Sequence, residues 1–153
     1  MARLTIRQAH PEEADRLTAI ALAAKRDWGY PDAWIAEWTP QLTLTPAYVR
    51  EHAVFLALEG GGPVGFCALV EEPTCWVLDH LWVHPDAMGN GVGRGLFTHA
   101  LEHLRDRGPR VLRIDADPNA VGFYERMGAT RVGSVPAPVA GTARELPRLE
   151  LGL

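Results

Sequence analysis

Cysteine is scarce in this chain, with two among 153 residues, Cys67 and Cys75. So low a count cannot supply the disulfide framework of a small secreted domain. The two could pair across neighbouring strands, but buried thiols in a reducing cytosol are the expectation. An apolar leader core is missing from MARLTIRQAHPEEADRL, and no apolar run approaches the roughly 20 residues that cross a bilayer. The expected setting is therefore cytoplasmic, with no membrane partner. A basic excess is missing too: Lys and Arg number 15 against 19 Asp and Glu, for a net charge of −4. Basic residues are scattered, without the stripe that marks a nucleic-acid binder. Repeats and linkers are also absent. What remains is 47% hydrophobic and 22% charged, the balance of a globular protein, over a length that suits one domain spanning 1–153.

Periodicity orders the elements. Residues 3–7 alternate as a strand. A helix follows with Pro11 at its start, Glu12, Glu13 and Asp15 in its first turn, and Leu17, Ile20, Ala21 and Ala24 on one face. Residues 27–52 hold five aromatic residues, Trp28, Tyr30, Trp34, Trp38 and Tyr48, among Pro31, Pro40 and Pro46, which predicts one or two short helices and loops. AVFLALE (53–59) and VGFCALVE (64–71) flank Gly60-Gly61-Gly62-Pro63 as a hairpin. Residues 75–83 form a third strand, and a helix from about Gly91 to Arg107 carries Leu96, Phe97, Ala100, Leu101 and Leu104 on one stripe. Strand 111–116, a short helix 119–127 and closing strands 131–135 and 145–153 complete the chain. The fold class is α+β: a mixed, mostly antiparallel central sheet of about seven strands flanked by helices.

The most informative stretch is LWVHPDAMGNGVGRGLF (81–97). A strand ends, His84-Pro85-Asp86 turns, and Gly89, Gly91, Gly93 and Gly95 open an amphipathic helix. Such a turn exposes successive N–H groups at a partially positive helix start, a cradle for phosphate. The P-loop is excluded because Gly93 is followed by Arg94-Gly95. The dinucleotide fingerprint is excluded because its sixth position, counted from Gly89 or Gly91, is Arg94 or Leu96.

Those residues resemble the GNAT (GCN5-related N-acetyltransferase) superfamily, whose signature is Leu-x-Val-x-Pro followed by Arg/Gln-Gly-x-Gly-x-Gly/Ala. Here Leu81-Trp82-Val83-His84-Pro85 and Met88-Gly89-Asn90-Gly91-Val92-Gly93 correspond, with Met88 in place of Arg or Gln. ADPNAVGFYERMGA (116–129) resembles the family's later motif through Ala120 and Tyr124, with Asp117 where Asn is frequent and Asn119 two residues on. The resemblance implies acetyl-CoA as co-substrate and no metal. Backbone groups of Leu81, Trp82 and Val83 would hold the pantetheine arm and polarise the thioester. Amides from Met88 through Arg94 would hold the pyrophosphate, and Asp117, Asn119, Ala120, Phe123 and Tyr124 would line the same cofactor site. Tyr124 would also serve the departing thiolate as an acid.

Acyl transfer to an alkylamine of pKa near ~10.4 also needs a base. Asp79 and His80 are adjacent on the third strand and are expected on opposite faces. Asp79 would then share its face with Val77, Leu81 and Val83, and His80 with Trp76, Leu78 and Trp82. Asp79 is favoured, with Glu71, Glu72 and Asp115 as alternatives. Trp28, Tyr30, Trp34 and Trp38 suggest a cation–π cage for an ammonium substrate, together with loop 136–144. His99-x-x-Glu102-His103 matches an inverted zinc-protease pattern, but His99 and Glu102 are expected to face solvent, opposite the helix stripe. The expectation is an N-acetyltransferase acting on a small-molecule primary amine by direct attack in a ternary complex. The alternatives are a non-catalytic acyl-CoA sensor and an acetyltransferase of protein amines. An exposed aromatic segment would fit a homodimer.

Overall fold

The computed structural model describes residues 3–153. Seven strands make one sheet in the order β1-β2-β3-β4-β5-β7-β6. They are β1 (Leu4–Gln8), β2 (Ala53–Glu59), β3 (Gly62–Glu71), β4 (Trp76–Val83), β5 (Val111–Asp115), β6 (Thr130–Pro136) and β7 (Glu145–Gly152). Every neighbouring pair is antiparallel except β4 and β5, which are parallel. Helices α1 (Ala14–Asp27), α2 (Asp32–Leu42) and α3 (Pro46–Glu51) pack on one face, and α4 (Val92–Leu104) and α5 (Val121–Arg126) on the other. Both faces of β2 and β3 are thereby covered. Val54 and Leu56 join the core under α1, and Phe55 and Ala57 the core under α4. That is why these strands read as continuous apolar runs.

The helices follow the sequence patterning, with informative exceptions. On α1, Leu17, Ile20, Ala21 and Ala24 are buried as expected, but so is Lys25. Arg7 clamps β1 to the start of α1 through a two-pronged pair with Glu13, at 2.9 and 2.8 Å. That pair draws the Glu13 carboxyl down to about 2. Pro40 does not end α2, which runs two residues further, because in a last turn it forfeits a single backbone hydrogen bond. Pro46 opens α3 at a Thr45 cap whose hydroxyl accepts from the Tyr48 amide. The β2–β3 turn is tighter than expected: β3 already begins at Gly62, and Gly60 and Gly61 both have positive φ, at 59° and 84°.

Two irregularities of β4 matter most. Ala68 pairs with His80 but Leu69 pairs with Leu78, so Asp79 is a bulge residue with no partner on β3. The bulge reverses the alternation. Trp76 and Leu78 lie in the core under α4, while His80 packs with Phe66 on the opposite face. The expected grouping of His80 with Trp76 and Leu78 is therefore wrong, because it assumed an unbroken pleat. The second irregularity is the β4–β5 junction, where pairing is confined to Trp76–Leu112 and Val77–Arg113. Beyond Val77 the strands part, and β4 runs to Val83 with that edge open.

Cys67 and Cys75 are free and buried, and burial raises the Cys67 thiol to about 12. Among the described residues, no helix is long and apolar enough to cross a membrane. His99 departs from expectation: it and His103 pack edge-on against Phe55 of β2, with ring centroids 4.6 and 5.0 Å away, while Glu102 is exposed.

Candidate active site

The open edge of β4 leads into the glycine turn. The His84 imidazole accepts from the Asp86 amide, and its carbonyl accepts from the Ala87 amide. The Met88 amide is also used, donating to Pro85 at 3.3 Å, so Met88 does not contribute its N–H to a cradle as expected. The next residues differ. Among the described residues, the amides of Gly89, Asn90, Gly91, Val92, Gly93 and Arg94 have no protein acceptor, and they lead into the first turn of α4. Gly89 and Gly91 both sit at φ 80°, which costs an L-residue roughly 1–2 kcal/mol. Nothing lies within 4 Å of where their Cβ atoms would be, so the requirement for glycine there is conformational. Gly91→Val should therefore weaken acetyl-CoA binding at least about tenfold, the equivalent of about 1.4 kcal/mol; titration calorimetry checks this, and unchanged affinity removes the cradle.

Below the turn, Phe123 covers Gly93, and its ring meets Phe97 and Tyr124 edge-on. Ala120 packs at the head of α5 against the same core. Tyr124 is buried, and its hydroxyl has no hydrogen-bond partner among the described residues. Every fully buried side-chain nitrogen or oxygen among them does have a partner, so this hydroxyl borders open space. Burial first, then nearby Cys67 and Asp117, raises its pKa.

On the opposite face the bulge brings Asp79 and His80 together. Both line one cavity, instead of facing opposite ways. Tyr48 donates to Asp79 Oδ2, and His80 Nε2 lies 3.7 Å from the same oxygen. The indole N–H of Trp82 donates to His80 Nδ1 at 3.0 Å. This places the proton of the neutral ring on Nε2, facing the carboxylate. Burial lowers the His80 pKa, outweighing the pull of Asp79. Neutral His80 therefore has its lone pair committed, whereas Asp79 Oδ1 has no partner among the described residues.

The floor is a charged network. Asp117 accepts from Lys25 at 2.8 Å, from Tyr30 at 3.0 Å, from Arg144 at 3.0 Å and from the Asn119 amide at 2.9 Å. Asn119 Nδ2 donates to Tyr30 and Asp117. Burial alone would raise the Asp117 pKa, but hydrogen bonds from Lys25 and the Asn119 amide outweigh it and hold it down. The Asp117 carboxylate, expected to face the cofactor, is thus spent on the protein itself, whereas the exposed Asn119 side chain uses only its Nδ2.

The aromatic cage exists, but it is already filled. Lys25 Nζ lies 4.0 Å from the Trp38 ring centroid, 5.1 Å from Tyr30, and 5.7 Å from both Trp28 and Trp82. Trp34 stacks on Tyr30 at 5.8 Å. Trp28, Tyr30 and Trp34 therefore stand behind the cavity wall, and Trp38 reaches it. The cavity, about 500 Å³, opens between α2, β4, the end of β5 and the β6–β7 loop. Asp115 borders it but is paired with Arg148 at 2.7 Å, and Glu71 and Glu72 lie elsewhere.

A profile of the acetyltransferase (GNAT) family matches residues 14–129. The chain belongs to the GNAT family. It is 32% identical over 130 residues to the peptidyl-lysine N-acetyltransferase YjaB of Escherichia coli, covering 82% of this chain and 81% of that one. It is 35% identical over 131 residues to the mycothiol acetyltransferase of Cellulomonas flavigena, covering 80% of this chain but 34% of that longer relative. The fold matches a GCN5-related N-acetyltransferase from Rhodopseudomonas palustris with a TM-score of 0.81 at 24% identity, covering 100% and 98% of the two chains. It also matches the PaiA N-acetyltransferase of Thermoplasma acidophilum in complex with coenzyme A, at 0.78 and 16%, covering 99% of each.

As a GNAT, this protein is an acetyl-CoA-dependent N-acyltransferase. Its residues suit that co-substrate: the Gly89–Arg94 amides suit a pyrophosphate, and the β4 edge from Leu81 to Val83, unpaired toward β5, suits an amide-bearing arm. Lys25, Tyr48 and Arg144 carry no assigned role in the sequence reading. Only Lys25 carried a signal: it is the chain's single lysine and stands four residues after Ala21 on the apolar side of α1.

Proposed function

We propose that this GNAT acetylates a primary amine of a small molecule seated in the cavity beside Asp79, by direct attack in a ternary complex. The observation that carries the reading is the free Oδ1 of Asp79. It belongs to a carboxylate held at a bulge by Tyr48, with His80 Nε2 3.7 Å away, on the wall of a cavity. A carboxylate in that position attracts an ammonium and receives a proton as the nitrogen becomes nucleophilic.

Acetyl-CoA supplies the thioester carbonyl. The His84 amide donates to Val64 of β3, so alternation turns the Trp82 amide to β3 and the Leu81 amide to the open edge. There the Leu81 amide is the donor for that oxygen, and the Tyr124 hydroxyl serves the departing sulfur. Tyr124 stands on the α4 side of the sheet and Asp79 on the other, and the parting of β4 from β5 is the route between them. His80 is a positioning residue that orients Asp79 and leaves the proton to it.

The cavity is walled by α2 and the β6–β7 loop, which favours a compact acceptor over an extended peptide. The kinship with a peptidyl-lysine N-acetyltransferase makes a lysine peptide the natural competitor in the assay. Thermal unfolding with acetyl-CoA at ~100 times its dissociation constant should show about 2.7 kcal/mol of added stability, followed by thiol release with small amines. Absence of any shift at millimolar ligand overturns the reading. Asp79→Asn should lower kcat at least ~100-fold, and His80→Gln should cost less. A larger loss at His80 than at Asp79 would reverse the assignment of the base.

A further inference from the structure

Arg144 is only half used by the network that holds it. Its Nη2 group donates to Tyr30 and to Asp117 Oδ2, both at 3.0 Å. Its plane lies 4.8 Å from the Trp38 ring centroid. The Nε and Nη1 hydrogens have no acceptor among the described residues. Because fully buried side-chain nitrogens and oxygens there all have partners, each of these two donors meets open space. Arg144 borders both the cavity and a shallow outer depression beside Pro138.

The charges around the cavity do not cancel locally. Lys25 and Arg144 are two cations sharing one anion, Asp117, and their side chains are 9% and 11% exposed against 6% for Asp117. That end of the cavity keeps one positive charge in surplus. Asp115 is neutralised by Arg148, and Asp79 has only Tyr48 and a neutral imidazole for company. One end is therefore positive and the other negative. A plain alkylammonium satisfies Asp79 and leaves the surplus charge at Arg144 uncompensated.

Resting on the small-molecule reading above, we infer that the acceptor is a zwitterion: a primary amine that also carries a carboxylate or similar oxyanion. The ammonium lies at Asp79 and the oxyanion accepts a charge-assisted hydrogen bond from the free Nη1 group of Arg144. In the reaction the amine nitrogen forms the new bond to the acetyl carbon and the carbon–sulfur bond breaks. One amine proton goes to Asp79 and a second balances the departing thiolate. The oxyanion is unchanged and serves only to orient the amine.

The experiment compares matched acceptors on the wild-type enzyme with acetyl-CoA, following thiol release: α-amino acids against their carboxamides, and ω-amino acids against n-alkylamines of equal length. Values of kcat/KM are corrected for the neutral-amine fraction of each acceptor. The acid is expected to win by at least about tenfold in one of the series, the scale of a hydrogen-bonded charge pair. Arg144→Lys, whose single ammonium stays with Asp117 and Tyr30 and lacks the free Nη1 donor, should bring that ratio toward one.

Equal or better turnover of the neutral partner in every series overturns the zwitterion and leaves the small-molecule reading standing. An unchanged ratio in Arg144→Lys overturns the placement on Arg144. Turnover of a lysine peptide with none of the small amines overturns both readings together. Should Arg144→Lys fail to fold, the wild-type ratio decides alone.

Discussion

Tyr124→Phe is expected to lower kcat by about 10- to 100-fold while leaving acetyl-CoA affinity and melting temperature nearly unchanged. The size follows from what a phenol with a raised pKa is able to do. Burial keeps the Tyr124 proton in place above the ordinary tyrosine value of ~10, whereas a coenzyme A-type thiol titrates near ~8.5. Full transfer of the proton to the leaving sulfur is therefore uphill. Tyr124 acts instead by donating a hydrogen bond to the thiolate as its charge develops, an interaction worth roughly 1.5–3 kcal/mol for a charged acceptor.

Stability is spared because the hydroxyl has no protein partner to lose, and the ring stays packed against Phe97 and Phe123. The same pKa direction predicts that Tyr124 contributes no basic limb to the pH–rate profile below about pH 10. Steady-state kinetics between pH 6 and 10 check both statements. Unchanged kcat removes Tyr124 from the mechanism.

Asp117→Asn is the substitution expected to cost most stability, about 3–5 kcal/mol, because it leaves Lys25 and Arg144 buried without their shared anion. For a chain of this size that is a fall in melting temperature on the order of 10 °C. The deficit should shrink as pH rises. A buried Lys25 without its partner has a folded-state pKa further below the unfolded ~10.4. Between those two values the unfolded chain binds the extra proton, so stability rises with pH. In the wild type the lowered Asp117 pKa acts at the other end. Its contribution is complete above the unfolded aspartate value and is lost as pH falls through the folded one. A pH-independent deficit, or one under about 1 kcal/mol, would show that the network does not bury its charges.

Much of the scaffold was legible because its signals are local. The apolar stripes of α1 and α4 and the Gly60-Gly61 turn each lie within a short stretch of sequence. Errors arose where a local rule was extended too far. Strict alternation along 75–83 put His80 with Trp76 and Leu78, but one bulge residue, Asp79, interrupts it. A cluster of tryptophans was read as a cage for a substrate cation, but periodicity cannot say which cation arrives, and it is Lys25.

By itself, the sequence determined the order of strands and helices, the glycine turn that leaves six amides free, and the placement of Tyr124 on a short helix after β5. Each depends on φ preferences, hydrogen-bond donors or apolar spacing among near neighbours. Only the tertiary structure decided which charges meet. Lys25 reaches Asp117 across 92 residues and Tyr48 reaches Asp79 across 31, through a sheet whose strand order is not the chain order. Such pairings depend on where distant backbones cross and on how deeply each group is desolvated, and no local pattern encodes either.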